Sequence, residues 1–384
     1  MNIPAEFDDI RPFTPEELPA IFDKLLADAD FLSVAKPFIG ADIPADMLRQ
    51  QLHSCKDSLD FQKKFVYRPL KQLMSRCATD CTLEDAAIAD KSANYTFVSN
   101  HRDIVLDAAI LSILMIDNGY PDTVEIAIGD NLLIHPWIKN LVRINKSFIV
   151  QRSLSMREML QSSKRMSEYM HFAIAEKRQN IWIAQREGRA KDSNDRTQES
   201  VLKMMAMGGE GSATERLRQL NIVPLTISYE YDPCDYLKAK EFQQKRDDAS
   251  FKKTREDDLK NMQTGIFGYK GRVRYAMSPC INTWIDEAET LPRGEVFRFI
   301  AQRMDQEIHS RYELFPNNYV AADLLEGGNR YSGHYSAEDR ARFEQYLAER
   351  IDLIDLPDKD VEFLRERLLT MYANPLKNFY AAQS

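Results

Sequence analysis

The sequence predicts an α/β fold, a mixed and largely parallel sheet flanked by helices, with helical additions before and after it. Three observations carry that expectation. From Asn94 onward, short β-rich runs alternate with segments long enough for helices, and parallel neighbours need such crossovers. The chain on either side of this region reads as helix. Finally, 44% hydrophobic and 29% charged residues describe an ordinary globular protein rather than a disordered one.

Residues 1–88 are the expected helical N-terminal region. "TPEELPAIFDKLLADADFL" opens on a Thr-Pro-Glu-Glu helix start, and "DFQKKFVYRPLKQLMSRC" has apolar positions three and four apart. Neither holds a reactive cluster. Residues 89–285 are the expected α/β core. Strands are predicted at "YTFVS", "VEIAIG", "SFIVQ", "NIWIA", "IVPLTIS" and "GRVRYAMS", with helices over Ile104–Ile116 and Met156–Lys177. The mixed-charge stretch at 235–263 reads as a solvated helical insertion. Residues 286–384 return to helix in "GEVFRFIAQRMDQEIHSRYEL", "SAEDRARFEQYLAERIDLI" and "DKDVEFLRERLLTMYA".

Several function classes are disfavoured. A net charge of −8 argues against wholesale nucleic-acid binding. The five cysteines form no C-x-x-C pair, and no further Cys/His pair stands at zinc spacing near Cys77 and Cys81, so reduced cytosolic thiols are expected and no metal. The first twenty residues lack the basic and apolar regions of a signal peptide. No run approaches the roughly 18 to 20 apolar residues of a membrane span, because Asp107 and Ser112 break the longest. The chain is therefore expected to be soluble or to lie on a membrane surface. "HRD" at 101–103 opens a kinase catalytic loop, but the Asn that should follow is missing, and "GGEGSAT" lacks the lysine of a P-loop.

Two clusters could carry chemistry. In "FVSNHRDIVLD" (97–107) a strand-like run ends at His101, whose side chain titrates nearest neutrality and suits a general base. Such a base needs a carboxylate to fix its tautomer, and Asp103 and Asp107 are both on offer. In one continuous helix neither shares a face with His101, so the pair requires His101 in a turn with the helix starting after it. The competing reading makes Asn100 a helix cap and Asp103 a first-turn carboxylate serving the helix dipole. In "QREGRAKD" (185–192), Arg186, Arg189 and Lys191 gather around Glu187-Gly188, directly after "IWIA". Arginine forks match phosphate or carboxylate, and glycine admits a close backbone approach. The competing reading is a charged surface loop.

Taken in order with "IGDNLLIHPWIKNLVRINKSFIVQR" (128–152) and "NIVPLTISYEY" (221–231), these clusters resemble the four sequence blocks of the glycerolipid acyltransferases, the glycerol-3-phosphate and lysophosphatidic acid acyltransferases. The resemblance spans roughly residues 92–282. His101 and Asp107 have five residues between them, one more than the family pattern, and the third block lacks the family's Pro and Thr. The resemblance implies acyl transfer from a thioester to a hydroxyl, with His101 as base and Asp107 as its partner. It implies acceptor binding by Arg152, Glu187, Gly188 and Arg189, helped by Arg186 and Lys191, and steadying of the oxyanion by N–H groups at the helix start. The implied donor is acyl-CoA or acyl carrier protein, and the acceptor is glycerol 3-phosphate or lysophosphatidic acid. No cofactor and no metal are implied. The expected location is cytoplasmic, peripheral on the inner face of the cytoplasmic membrane, with Trp137 and Ile138 dipping into the interface beside Lys139 and Arg143. Two alternatives accompany this reading: an amino-acid-based lyso-lipid as acceptor, and a non-catalytic scaffold binding lipid or acyl carrier.

Overall fold

The computed structural model describes residues 3–39, 44–151 and 155–384. Among these, seven strands hydrogen-bond into one sheet: β1 (Ala78–Glu84), β2 (Thr96–Ser99), β3 (Val124–Gly129), β4 (Ser147–Val150), β5 (Asn180–Ala184), β6 (Ile222–Tyr229) and β7 (Gly271–Met277). Their order is β1-β7-β6-β2-β5-β3-β4, and only the β6–β7 pair runs antiparallel. The α/β expectation of a mixed, largely parallel sheet therefore holds.

Helices α1 (Leu18–Leu26), α2 (Ala29–Ile39), α3 (Ala45–His53), α4 (Ser58–Phe61) and α5 (Tyr67–Cys77) precede β1. Within the sheet region, α6 (Leu106–Asp117) follows β2, α7 (Pro136–Ile144) follows β3, and α8 (Met156–Ala175) follows β4. Helices α9 (Glu199–Met205) and α10 (Ala213–Gln219) follow β5, while α11 (Asp235–Asp247) and α12 (Arg255–Phe267) join β6 to β7. The chain ends in α13 (Val296–His309), α14 (Pro316–Glu326), α15 (Ala337–Asp352) and α16 (Val361–Gln383). Among the described residues no helix is long and apolar enough to cross a membrane.

Two features differ from the sequence reading. Strand β1 lies in the stretch expected to be helical. It is an edge strand with Thr79, Asp80, Thr82 and Glu84 on its length, so it carries no apolar run to announce it. As a result Cys77 ends α5 while Cys81 sits in β1, and the two do not share a helix face. The second difference is α11, which is not a solvated element. Leu237, Ala239 and Gln243 are buried, α16 packs on it, and its buried charges are paired: Asp235 with Arg350, Lys238 with Asp232.

Alternation along the central strands builds two cores. Phe97, Trp182, Val223 and Leu225 face α5 and α6, whereas Val98, Ile181, Ile183 and Ile222 face α8, α9 and α13. Pro224 sits in β6 opposite Val98 without breaking the sheet. Its carbonyl accepts from Ser278 just past the end of β7, so the missing N–H falls beyond the last rung of that ladder. Parallel strands β2 and β5 end side by side while β6 runs on past them to Tyr229, and in open α/β sheets that carboxyl edge is where ligands bind.

Candidate active site

The chain leaves β2 at Ser99 and does not enter α6 until Leu106. Asp103 sets that delay: its Oδ1 accepts from the N–H of Val105 at 2.9 Å and of Leu106 at 2.8 Å. His101 is therefore in the turn, and the first turn of the helix carries Asp107 beneath it. His101 Nδ1 lies 2.8 Å from Asp107 Oδ2. A carboxylate only accepts, so Nδ1 carries the proton and Nε2 keeps a lone pair. Asp107 is fully buried and fixed by three further donors. The Arg102 N–H reaches its Oδ2 at 2.7 Å, Tyr229 Oη its Oδ1 at 3.2 Å, and Tyr275 Oη its backbone carbonyl at 2.9 Å. Burial raises both tyrosines above the ordinary phenol range, so they remain donors. The His101 ring meets Trp182 edge-on at 5.8 Å.

Asp103 is a cap and not the imidazole's partner. Burial, with Asp107 nearby, pushes its carboxyl above the usual range. Helix α12 presses directly on it: a Cβ at Gly265 would fall 2.2 Å from Asp103 Oδ2, which is why glycine stands there. Of the N–H groups around the start of α6, those of Val105 and Leu106 are taken by Asp103 and that of Arg102 by Asp107. Asn100 does not cap the helix either. Its amide bonds both backbone groups of Ile227 in β6, at 2.9 and 2.8 Å.

The second cluster begins one residue past β5, and Gly188 makes its turn at φ +67°. Arg189 donates to Asn261 of α12 at 3.1 Å, while its Nη1 is buried with no partner among the described residues. Burial works against its charge, but Cys234, Asp232 and Asp103 outweigh that and hold its pKa above the ordinary arginine value. Arg186 Nε is likewise buried without a partner among the described residues. The Glu187 N–H goes to Gln198 at 2.8 Å. Lys191 is committed to Glu241, which also faces Lys245 at 2.9 Å and Lys253 at 3.3 Å. Burial lowers the Lys191 pKa, and the lysines lower that of Glu241 against its own burial. Arg152 lies outside the described residues.

One cavity of about 1390 Å³ joins these parts. His101 sits on its wall. Its lining combines polar groups, Arg186, Arg189, Lys191, Glu241 and Asn261, with apolar side chains that include Ala108 and Ile113 of α6, Leu70 and Leu73 of α5, Phe31 and Leu25. Trp137 turns inward to this wall and packs on Phe31 at 6.0 Å, and Arg143 is buried against the carbonyls of Asp8 and Arg11. Arg143, expected beside a membrane interface, is thus buried, whereas Trp137 and Ile138 are half-buried and Lys139 is exposed. Among the described residues no group of three His, Cys, Asp or Glu side chains could hold a metal ion.

The sequence reading missed Arg102, Tyr229, Tyr275 and Asn261 as parts of this site. Tyr229 and Tyr275 were within quoted strands, and a tyrosine on an inward strand position was the one available signal.

Residues 81–228 match the family model described as Acyltransferase. That stretch contains the first three blocks and most of the fourth, so the resemblance to the glycerolipid acyltransferases stands. A search of curated proteins finds no match. Among solved structures the chain is similar to the 1-acyl-sn-glycerophosphate (LPA) acyltransferase PlsC from Thermotoga maritima, at 12% identity and a TM-score of 0.38, over 78% of this chain and 99% of that one.

Proposed function

From the acyltransferase domain at residues 81–228, we propose an O-acyltransferase that moves a fatty acyl group from an acyl thioester to a hydroxyl of glycerol 3-phosphate or lysophosphatidic acid. One observation carries this reading: His101, with Nδ1 held by Asp107, lines a single cavity whose wall also holds apolar side chains and the arginines of the 185–192 loop. Acyl chain and phosphate-bearing acceptor then reach the same imidazole within one cavity.

In the reaction Nε2 takes the proton of the acceptor hydroxyl as its oxygen attacks the thioester carbonyl. The tetrahedral adduct collapses by breaking the C–S bond, and the imidazolium returns the proton to the departing thiolate. An ester and a free thiol result, with no residue acylated on the way. General-base assistance of this kind contributes roughly 10²–10⁴ in rate. Arg186 and Arg189 bind the acceptor's phosphate through their unpartnered N–H groups, and Gly188 lets the backbone come close. The donor is acyl-CoA or acyl carrier protein. Val34 and Met159, which line the cavity and are also exposed, support contact with a membrane surface, and we place the protein on the inner face of the cytoplasmic membrane.

The test is transfer from a labelled long-chain acyl thioester to glycerol 3-phosphate or lysophosphatidic acid, in wild type and folded His101→Ala. Product from wild type, with a loss of about 10²–10⁴ in the variant, is expected. Equal product from both would remove His101 from the chemistry. No product with either acceptor, but product with an amino-acid-based lyso-lipid, would reassign the acceptor.

A further inference from the structure

Behind the site, on the side away from the cavity, one buried carboxylate gathers three elements. Asp195 is fully buried and lies on the loop that leaves β5, three residues past the 185–192 cluster. Its Oδ2 accepts from Arg102 Nη2 at 2.7 Å, Asn100 Nδ2 at 3.3 Å and Tyr312 Oη at 2.5 Å, and its backbone carbonyl lies 2.9 Å from His309 Nε2. Asn100 and Arg102 are the two neighbours of His101 in the chain. Both side chains turn back into the protein, and Arg102 Nε also reaches the Ile227 carbonyl at 3.3 Å. The backbone of His101 is thus held from both sides, and only its ring faces the cavity.

We propose that Asp195 is a positioning residue that keeps the base-bearing turn and the anion-binding loop in one arrangement, with Tyr312 and His309 extending the hold to the end of α13. The kinetic part of this proposal rests on the acyl-transfer reading; the geometric part does not. The physical case is that a buried carboxylate needs its partners in place. Arg102 and Tyr312 both meet Oδ2, and since Asp195 Oδ1 and Arg102 Nη1 have no partner among the described residues, no second set of contacts stands ready to replace them. Burial keeps the Tyr312 phenol well above its ordinary pKa, and it pushes His309 down to about 4, so near neutrality His309 is an uncharged donor to the Asp195 carbonyl. Releasing the hold lets His101 drift relative to both Asp107 and the acceptor's phosphate, and small misplacements of a base are costly in rate.

The test uses full-length Asp195→Asn and Tyr312→Phe, each checked for cooperative thermal unfolding. It reads kcat and KM for acyl transfer, and the titration of His101 by ring-nitrogen NMR on histidine-labelled protein. The expected result is a fall in kcat of about 10²-fold for Asp195→Asn and less for Tyr312→Phe. KM should be little changed, the His101 titration displaced in both, and no further loss seen in a His101→Ala background. Should Asp195→Asn fail to fold, Tyr312→Phe carries the comparison alone, since it removes one hydroxyl and keeps the ring. A folded variant whose His101 titration is unmoved overturns the proposal, whatever its rate. If wild type transfers no acyl group to any acceptor, the NMR arm still decides, so failure of the activity and failure of the hold are read separately.

Discussion

The turn at 100–107 and the loop at 185–192 line the same cavity but are built in opposite ways. In the turn, His101 and Asp107 are surrounded by donors that each have one place to go: Arg102 N–H, Tyr229 and Tyr275 on Asp107, and Asn100 on the edge of β6. In the loop, Arg186 and Arg189 bury N–H groups that meet no acceptor among the described residues. Buried donors left without acceptors are costly unless something else supplies them. The difference suggests a division of labour. The His101–Asp107 pair has its partners in place, as the proposed base requires. Arg102 in the same turn also buries an Nη1 without a partner among the described residues, but it does not line the cavity; Arg186 and Arg189 do, and in the proposed function an anion completes them.

The sharpest way to break this comparison is Asp107→Asn. The amide oxygen can still accept from Arg102 N–H, so the fold should persist, but the tautomer and the stabilised imidazolium are lost. The rate of acyl transfer should fall by roughly 10²–10⁴ with the melting temperature nearly unchanged, as steady-state kinetics beside calorimetry would show. An unchanged rate would mean that the turn is merely well packed.

The loop should respond differently. Arg189→Ala is expected to raise KM for a phosphate-bearing acceptor by about tenfold to a hundredfold, the worth of a hydrogen bond to a charged group, while KM for the acyl donor stays level. Arg189→Lys should recover only part of this, because an ammonium cannot keep Asn261 and reach a phosphate in the same fork geometry. A rise in donor KM instead would place the thioester's own phosphates at this loop.

What the sequence could reveal follows the range of the interactions. The strands of the central sheet announce themselves because they are buried on both faces, and β1 does not because it lies at an edge with polar side chains. His101 was legible as a reactive residue from local pattern. The choice between Asp103 and Asp107 was not, since it depends on where α6 begins, and Asp103's own hydrogen bonds decide that. The cations of "QREGRAKD" were legible as a group, but not which would be spent within the protein. Lys191 meets its partner Glu241 fifty residues away, on a helix that read as solvated. Asp195 was invisible for the same reason: its partners Asn100 and Tyr312 stand 95 and 117 residues from it. No local periodicity encodes such meetings.

The smallest expected effect concerns how the loop side is tethered. Thr197 N–H donates to Asp305 Oδ1 of α13 at 2.7 Å, which fixes the far end of the segment that carries Arg186 and Arg189. Burial raises the Asp305 carboxyl from 3.8 to about 6, against its hydrogen bond with Thr197 and with Asp195 adding repulsion. The folded protein therefore keeps a proton there that the unfolded chain releases near 3.8. Between those values the native state binds more protons, so this group's contribution to stability falls as pH rises from about 4 to about 6 and is level above. Asp305→Asn keeps an acceptor for Thr197 and has no proton to lose. Measured by denaturant unfolding across that window, the stability of wild type relative to the variant should decline by roughly 1–3 kcal/mol as pH rises, with kcat within about twofold. The comparison with the variant is essential, because carboxylates held low, such as Asp232 and Glu241, contribute the opposite slope to both proteins. A difference that stays constant with pH would show Asp305 titrating as an ordinary carboxyl, and the tether would then be a plain hydrogen bond rather than a strained one.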